Sequence, residues 1–260
     1  LDADTLASLL AEHRAAHAAA TLLSARLNDP TGYGRVIRDG DGGVSRIVEQ
    51  KDASADELAV TEVNSGVYVF RAAALRAHIG GLTTENSQGE MYLTDMVALL
   101  RGAGESIAAR TIADASLVEG INDRVQLSEA AARLNARVIR RWQLAGVTVQ
   151  DPATTWIDVT ATLAPDVTLL PGTQILRATA VAAGATIGPD TTLIDCEVGE
   201  GAVIRRTDAT LAVIGAGATV GPFASLRAGT HLGAGGKIGT FVETKNVTIG
   251  DGSKVPHLSY

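Results

Sequence analysis

From residue 157 onward, large aliphatic residues recur every six positions: Ile157, Leu163, Leu169, Ile175, Val181, Ile187 and Leu193. Val198 and Ile204 resume the register after one residue is dropped. A second unbroken run follows at Ile214, Val220, Leu226, Leu232 and Ile238, and Ile249 and Val255 restart it after another one-residue slip. Glycine comes directly after the aliphatic at 188, 199, 215, 221, 233, 239 and 250. A period of six matches neither the 3.6-residue helix repeat nor simple strand alternation, so the chain must turn every six residues. If each hexad is a short strand plus a corner, three hexads close one triangular coil of about 18 residues, with the aliphatics stacked inside and glycine relieving strain at corners. This predicts a left-handed parallel β-helix over residues 151–260.

Residues 1 to about 145 carry no hexads and read as layered α/β. Amphipathic or apolar-rich segments predict helices near Ala3 to Ala20, Arg71 to Ile79, Tyr92 to Arg101 and Asp123 to Trp142. In the last, Leu127, Ala131, Leu134, Val138 and Trp142 share one face. Strands are predicted at Arg35 to Arg38 and Val44 to Glu49, joined through the turn Asp39-Gly40-Asp41-Gly42-Gly43, and at Val67 to Phe70. Asp151-Pro152 breaks helical structure before the coil begins. The expected organisation is an α/β domain over 1–122, a connecting helix and linker over 123–150, and the coil over 151–260.

Composition narrows the field. With 260 residues, 46% hydrophobic and 20% charged, the chain reads as globular, and a net charge of −7 argues against bulk binding to nucleic acid or an anionic membrane. A lone cysteine, Cys196, cannot form an internal disulfide, and no apolar run approaches the ~18 residues of a membrane span, so the expected location is the cytoplasm. The chain starts at Leu1 and stops in mid-repeat at Tyr260. It therefore reads as a piece of a longer protein, since a solenoid end needs a cap.

Two constellations have chemical content. Arg227 and Lys245 are 18 residues apart and each follows a register position, which predicts that they stack at one corner of successive coils. At strand spacing two like charges repel, by up to about 1 kcal/mol in water. Either both side chains splay into solvent or a bound phosphate or carboxylate relieves the repulsion. His257 lies off the inward register beside Tyr260; its reference pKa of ~6.5 suits a general base, although a lone surface histidine is the commoner event. In the first domain, Gly32-Tyr33-Gly34-Arg35 is a weak glycine signal, and Glu49, Asn64 and Asn122 end apolar segments, where ligand groups and plain caps are both at home.

Several blocks taken in order are more specific than any one of them. Gly32-Tyr33-Gly34-Arg35, Ile47-Val48-Glu49-Gln50, Val63-Asn64-Ser65-Gly66, Gly89-Glu90-Met91-Tyr92-Leu93-Thr94-Asp95, Glu119-Gly120-Ile121-Asn122-Asp123-Arg124, Phe241-Val242-Glu243-Thr244-Lys245-Asn246 and Pro256-His257-Leu258 together resemble the bifunctional N-acetylglucosamine-1-phosphate uridyltransferase/glucosamine-1-phosphate N-acetyltransferase family. The resemblance implies a partial α/β, Rossmann-like nucleotidyltransferase domain in which Gly34, Glu49, Asn64, Tyr92 and Thr94 bind the sugar and Asn122 ligates Mg²⁺. It implies a β-helix in which Arg227 and Lys245 hold the sugar phosphate, His257 is the catalytic base and Tyr260 contacts substrate. The implied co-substrates are UTP and acetyl-CoA, acting on N-acetylglucosamine-1-phosphate and glucosamine-1-phosphate, and the implied assembly is a homotrimer through the β-helix. The family's nucleotide loop has no counterpart in residues 1 to 260, and Met91 stands where the family often has tyrosine. The chain alone is therefore expected to be inactive in uridylyl transfer and impaired in acetyl transfer. Two other readings are a single-activity sugar-1-phosphate nucleotidyltransferase with a structural hexad tail, and a non-catalytic regulatory or scaffold homologue.

Overall fold

The computed structural model describes residues 1–259 and divides into two units, Leu1–Ile121 and Asn122–Tyr260. In the first unit the order is α1 (Ala3–Ala15), β1 (Ala20–Arg26), β2 (Arg35–Arg38), β3 (Val44–Val48), α2 (Ala55–Leu58), β4 (Glu62–Phe70), α3 (Ala72–His78), α4 (Asp95–Gly102) and β5 (Ile107–Ile112). The strands form one mixed sheet in the order β3-β2-β4-β1-β5, with β1 and β5 parallel and the other pairs antiparallel.

The predicted long first helix stops early. Asp2 caps its start by accepting from the Thr5 N–H at 2.8 Å, but the chain reverses at His17, whose φ is +48°, and Ala20 enters β1. Six consecutive residues of β1 are buried, because it lies inside the sheet with layers on both faces. On one face Leu22 packs with Val36, Val44, Ile47 and Val97, and Ala20 with Met96 and Leu100 of α4. On the other, Thr21 meets the His13 ring of α1 at 2.9 Å.

The second unit begins with α5 (Arg124–Leu144), capped by Asp123, and continues as a parallel β-solenoid of about six turns. Its three faces hold six, six and seven short strands, each paired with the strands of the adjacent coils on its own face. The register residues point inward: Leu169, Ile175, Ile187, Leu193, Ile204 and Ile238 are fully buried. Two inward places break the aliphatic rule. Ala209 pairs with Leu193 and Leu226, and Thr244 with Leu226, so small residues occupy the positions where the sequence pattern skips. The glycine column has two causes: Gly188 and Gly221 take positive φ, +110° and +90°, as strain at a corner requires, and at positions such as Gly199 close approach decides. A Cβ on Gly199 would lie 2.4 Å from the Ala216 nitrogen, so close stacking of successive coils excludes a side chain there.

Helix α5 closes the first coil. Asn135 donates through Nδ2 to the Thr155 carbonyl at 2.8 Å and accepts from the Ile157 N–H at 3.1 Å, pairing backbone groups that have no preceding strand. Val138 and Ile139 join the solenoid core with Trp142 against it, whereas Leu127 and Leu134 remain half exposed. The expected helix face is thus rotated toward Asn135, because the coil end demands hydrogen bonds as well as apolar cover.

Candidate active site

In the first unit, three separate stretches converge on one carboxylate. Glu49 follows β3, and the buried Thr94 hydroxyl, just before α4, donates to its Oε1 at 3.2 Å. Gly34 lies against the same group: a Cβ there would sit 3.2 Å from both Glu49 oxygens. Asn64 joins through the backbone, its N–H donating to the Gly34 carbonyl at 2.9 Å where β2 and β4 meet. Gly34, Glu49, Asn64 and Thr94 therefore form one polar cluster where the ends of β2 and β3, strand β4 and the start of α4 meet. Tyr92 is tied outside these contacts; its hydroxyl accepts from Gln88 Nε2 at 2.6 Å.

The loop before Gly34 is held by protein groups. The Gln50 side chain accepts from the Gly32 N–H, the buried Arg35 guanidinium donates to the Tyr33 carbonyl, and the Tyr33 hydroxyl accepts from the Gly120 N–H at 3.0 Å. Electrostatics around the cluster favour neutral groups. Burial pushes Tyr68 well above the usual phenol range, with the Glu49 carboxylate adding to it. Burial, with Asp52 nearby, also raises Asp95.

Close by in β4, Glu62 is almost fully buried. Its carboxylate accepts from Arg38 Nε at 2.8 Å and Nη2 at 2.7 Å, from the Ser24 hydroxyl at 2.6 Å and from Thr111 at 3.2 Å. Burial would raise this acid, but the bonds from Arg38, Ser24 and Thr111 outweigh it and hold Glu62 below the usual carboxylate range.

Asn122 belongs to the second unit, where its backbone N–H donates to Gln126 Oε1 at 2.6 Å at the start of α5. Among the described residues no group of three or more His, Cys, Asp or Glu side chains is placed to hold a metal. One neutral amide oxygen does not satisfy the octahedral oxygen shell of Mg²⁺, so these residues by themselves do not make a complete site.

On the solenoid, Leu226 pairs with Thr244, so Arg227 and Lys245 follow partner residues and emerge at the same corner of successive coils. Their repulsion is met by a carboxylate that the spacing argument left out. Glu243 Oε1 lies 3.0 Å from Arg227 Nη1, with both side chains half exposed. The corner is anchored from inside by Thr230, whose hydroxyl donates to the Arg227 carbonyl at 2.7 Å and lies 3.0 Å from Thr244 Oγ1. Glu243, Thr244, Lys245 and Ser259 line a cavity of about 320 Å³ with Val247, Ile249 and Val255. His257 is exposed and follows the strand Lys254–Val255, two faces further along the chain than Glu243–Thr244, so it emerges two corners on from Lys245 and not at the corner of the cation pair. Tyr260 lies outside the described residues.

Comparison with known proteins gives the family. The sequence model described as nucleotidyl transferase matches residues 2–160. Across all 260 residues the chain is 66% identical to the bifunctional protein GlmU of Clavibacter sepedonicus, 60% to that of Kineococcus radiotolerans and 57% to that of Mycolicibacterium vanbaalenii. It covers 53% of each, so the chain spans about half the length of these curated relatives. With its mixed sheet, its converging polar cluster and a family match over more than half its length, the chain belongs to the nucleotidyl transferase family, here continued into a parallel β-solenoid.

Proposed function

We propose that this chain carries the sugar-facing part of a uridylyl-transfer site and the phosphate-gripping part of an acetyl-transfer site, in an enzyme that makes UDP-N-acetylglucosamine in two steps. The observation that supports it most is the convergence of Gly34, Glu49, Asn64 and Thr94 in one polar cluster, in a chain similar along its whole length to proteins named bifunctional GlmU. In the proposal, acetyl passes from acetyl-CoA to the amine of glucosamine-1-phosphate, and a uridylyl group then passes from UTP to N-acetylglucosamine-1-phosphate with release of pyrophosphate. Mg²⁺ belongs to the second step, with Asn122 as one of its ligands and Tyr92 as a further sugar contact.

For acetyl transfer, Arg227 and Lys245 grip the sugar phosphate, which would compete with Glu243 for Arg227. An exposed pair of this kind is worth less than about 1 kcal/mol, so a dianion displaces it readily. His257 accepts the proton that the sugar ammonium must lose before its nitrogen attacks the thioester, with Tyr260 contacting the substrate. Assembly as a homotrimer through the β-helix is part of the proposal. It is supported by one solenoid face on which the small residues Ala164, Ala180, Ala182, Gly199 and Gly215, with Thr162 and Glu197 beside them, leave a shallow, largely apolar depression of about 680 Å³. Action in the cytoplasm on precursors of the cell wall is proposed too; no helix among the described residues is long and apolar enough to cross a membrane.

The test uses the full-length parent and its His257→Ala variant. Thiol release from acetyl-CoA with glucosamine-1-phosphate should be lost in the variant, while pyrophosphate release from UTP with N-acetylglucosamine-1-phosphate should persist. A wild type that releases pyrophosphate but no thiol would replace this reading with a single-activity nucleotidyltransferase. A wild type with neither activity would leave the scaffold reading.

A further inference from the structure

Strand β4 is interrupted where it passes the polar cluster. Leu22 of β1 pairs with Tyr68 and Ser24 with Asn64, so Ser65, Gly66 and Val67 together face the single residue Leu23. The extra residues bulge out of the ladder. Gly66 has a φ of +76°, a conformation that costs a side-chain-bearing residue about 1–2 kcal/mol. The Ser65 hydroxyl ties the bulge down, donating to the Leu23 carbonyl at 2.7 Å and accepting from the Val67 N–H at 3.2 Å. This excursion folds the side chain of Tyr68 back over that of Asn64. The Tyr68 hydroxyl donates to Asn64 Oδ1 at 2.8 Å, and the Gly66 N–H donates to the same oxygen at 3.1 Å.

An amide oxygen has two lone pairs, and both are engaged here. Turning the amide over would set its NH₂ against the Gly66 N–H, which can only donate. We propose that Tyr68 is a positioning residue of the sugar-facing site: its hydroxyl holds the Asn64 amide with the oxygen turned into the protein and the NH₂ left to donate to the ligand. The inference rests on the reading given under Proposed function and adds to it a residue outside the predicted site set. Burial and the neighbouring Glu49 carboxylate keep the phenol protonated, so it remains a donor. The same arrangement sets the polarity of the cluster. Glu49 Oε1 takes the Thr94 hydroxyl, which leaves Oε2 as an acceptor. A ligand that spans the two groups must therefore offer an acceptor to Asn64 and a donor to Glu49, as a sugar bearing hydroxyl or amide groups does.

Tyr68→Phe removes the hydroxyl and keeps the ring, which stacks on Phe70 at 5.5 Å and packs against the Leu22 and Val97 cluster. The experiment measures binding of N-acetylglucosamine-1-phosphate to the full-length parent by calorimetry, and KM and kcat for pyrophosphate release, in wild type, Tyr68→Phe, Asn64→Ala and the double variant. Asn64→Ser stands in where Asn64→Ala binds too weakly to titrate. The expected result is a roughly fivefold loss of affinity in Tyr68→Phe, the size of one neutral hydrogen bond, with KM raised alike and kcat within about twofold. In the Asn64 background the second substitution should change nothing further, as groups acting through one another are non-additive. Equal losses in both backgrounds would mean that the Tyr68 hydroxyl acts independently of Asn64 and would overturn the inference, as would an unchanged Tyr68→Phe. A wild type that does not bind the sugar phosphate would overturn the uridylyl-transfer reading and this inference together.

Discussion

The Thr94 hydroxyl and the Glu49 carboxylate, 45 positions apart in the chain, meet at 3.2 Å. Thr94 is carried by the start of α4 and Glu49 by the end of β3, and the packing of Val97 with Val44 and Ile47 fixes both ends of the bond. This contact orients a carboxylate that has no cationic partner within the cluster.

Gly34→Ala tests how tightly that carboxylate is held. The new methyl would sit 3.2 Å from both Glu49 oxygens, tighter than carbon and oxygen normally pack, so the carboxylate must give by a few tenths of an ångström against its bond from Thr94. Gly34 has no positive φ, so the substitution adds no backbone strain. In the full-length parent, KM for N-acetylglucosamine-1-phosphate should rise by about threefold or more, since a preorganised site must hold its groups to within about 0.5 Å. An unchanged KM in pyrophosphate release would show that Glu49 does not meet the sugar.

Glu62 should give the first unit an acid-sensitive stability. Its folded pKa is depressed below the ordinary 4.5, so its stabilising contribution is complete above that value and is lost as the pH falls through the depressed one. Glu62→Gln should cost about 1–3 kcal/mol near neutrality, as expected for a hydrogen-bonded charged partner. The gap to wild type should close as the pH is lowered from about 5 toward 3. Urea unfolding of both proteins across that range checks it, and a gap that stays constant with pH would remove Glu62 as its source.

Asn135→Ala should loosen the first coil. It strips partners from the Thr155 carbonyl and the Ile157 N–H at once, both close to the buried end of the solenoid. Each unsatisfied group costs about 1–3 kcal/mol, so a loss of at least about 2 kcal/mol is expected. Hydrogen exchange at the Ile157 amide should accelerate more than at Ile187, five strands further on. Equal exchange at the two amides would mean that α5 does not cap the coil through this side chain.

Much of the solenoid was legible because its signal is local and repeated. Leu169, Ile187 and Leu193 are inward in the structure as their period requires, since one aliphatic per corner is enough to close each coil. The pattern falters at Ala209 and Thr244, where neighbouring coils already fill the interior and a small residue suffices. In the α/β unit the reading was poorer. Strand β1 was missed because a strand buried on both faces shows no alternation, and β5, a half-buried edge strand, because it has no alternation either and its alanines favour a helix as an isolated segment.

For the candidate site, block order pointed to Gly34, Glu49, Asn64 and Thr94, but only the fold decided which of them touch. Glu243 was invisible as the partner of Arg227 because a pairing across coils depends on a register of 16 residues, not on any local motif. Tyr68 was invisible because an unbroken strand would hold its side chain too far along from Asn64, and the Ser65-Gly66-Val67 bulge shortens that distance. Periodicity in the sequence determined the architecture, since repeated apolar burial is an average over many residues that no single contact can overturn. The tertiary structure decided the chemistry, since a hydrogen bond requires two atoms within about 3 Å, and only the bulges, corners and caps of the folded chain set distances on that scale.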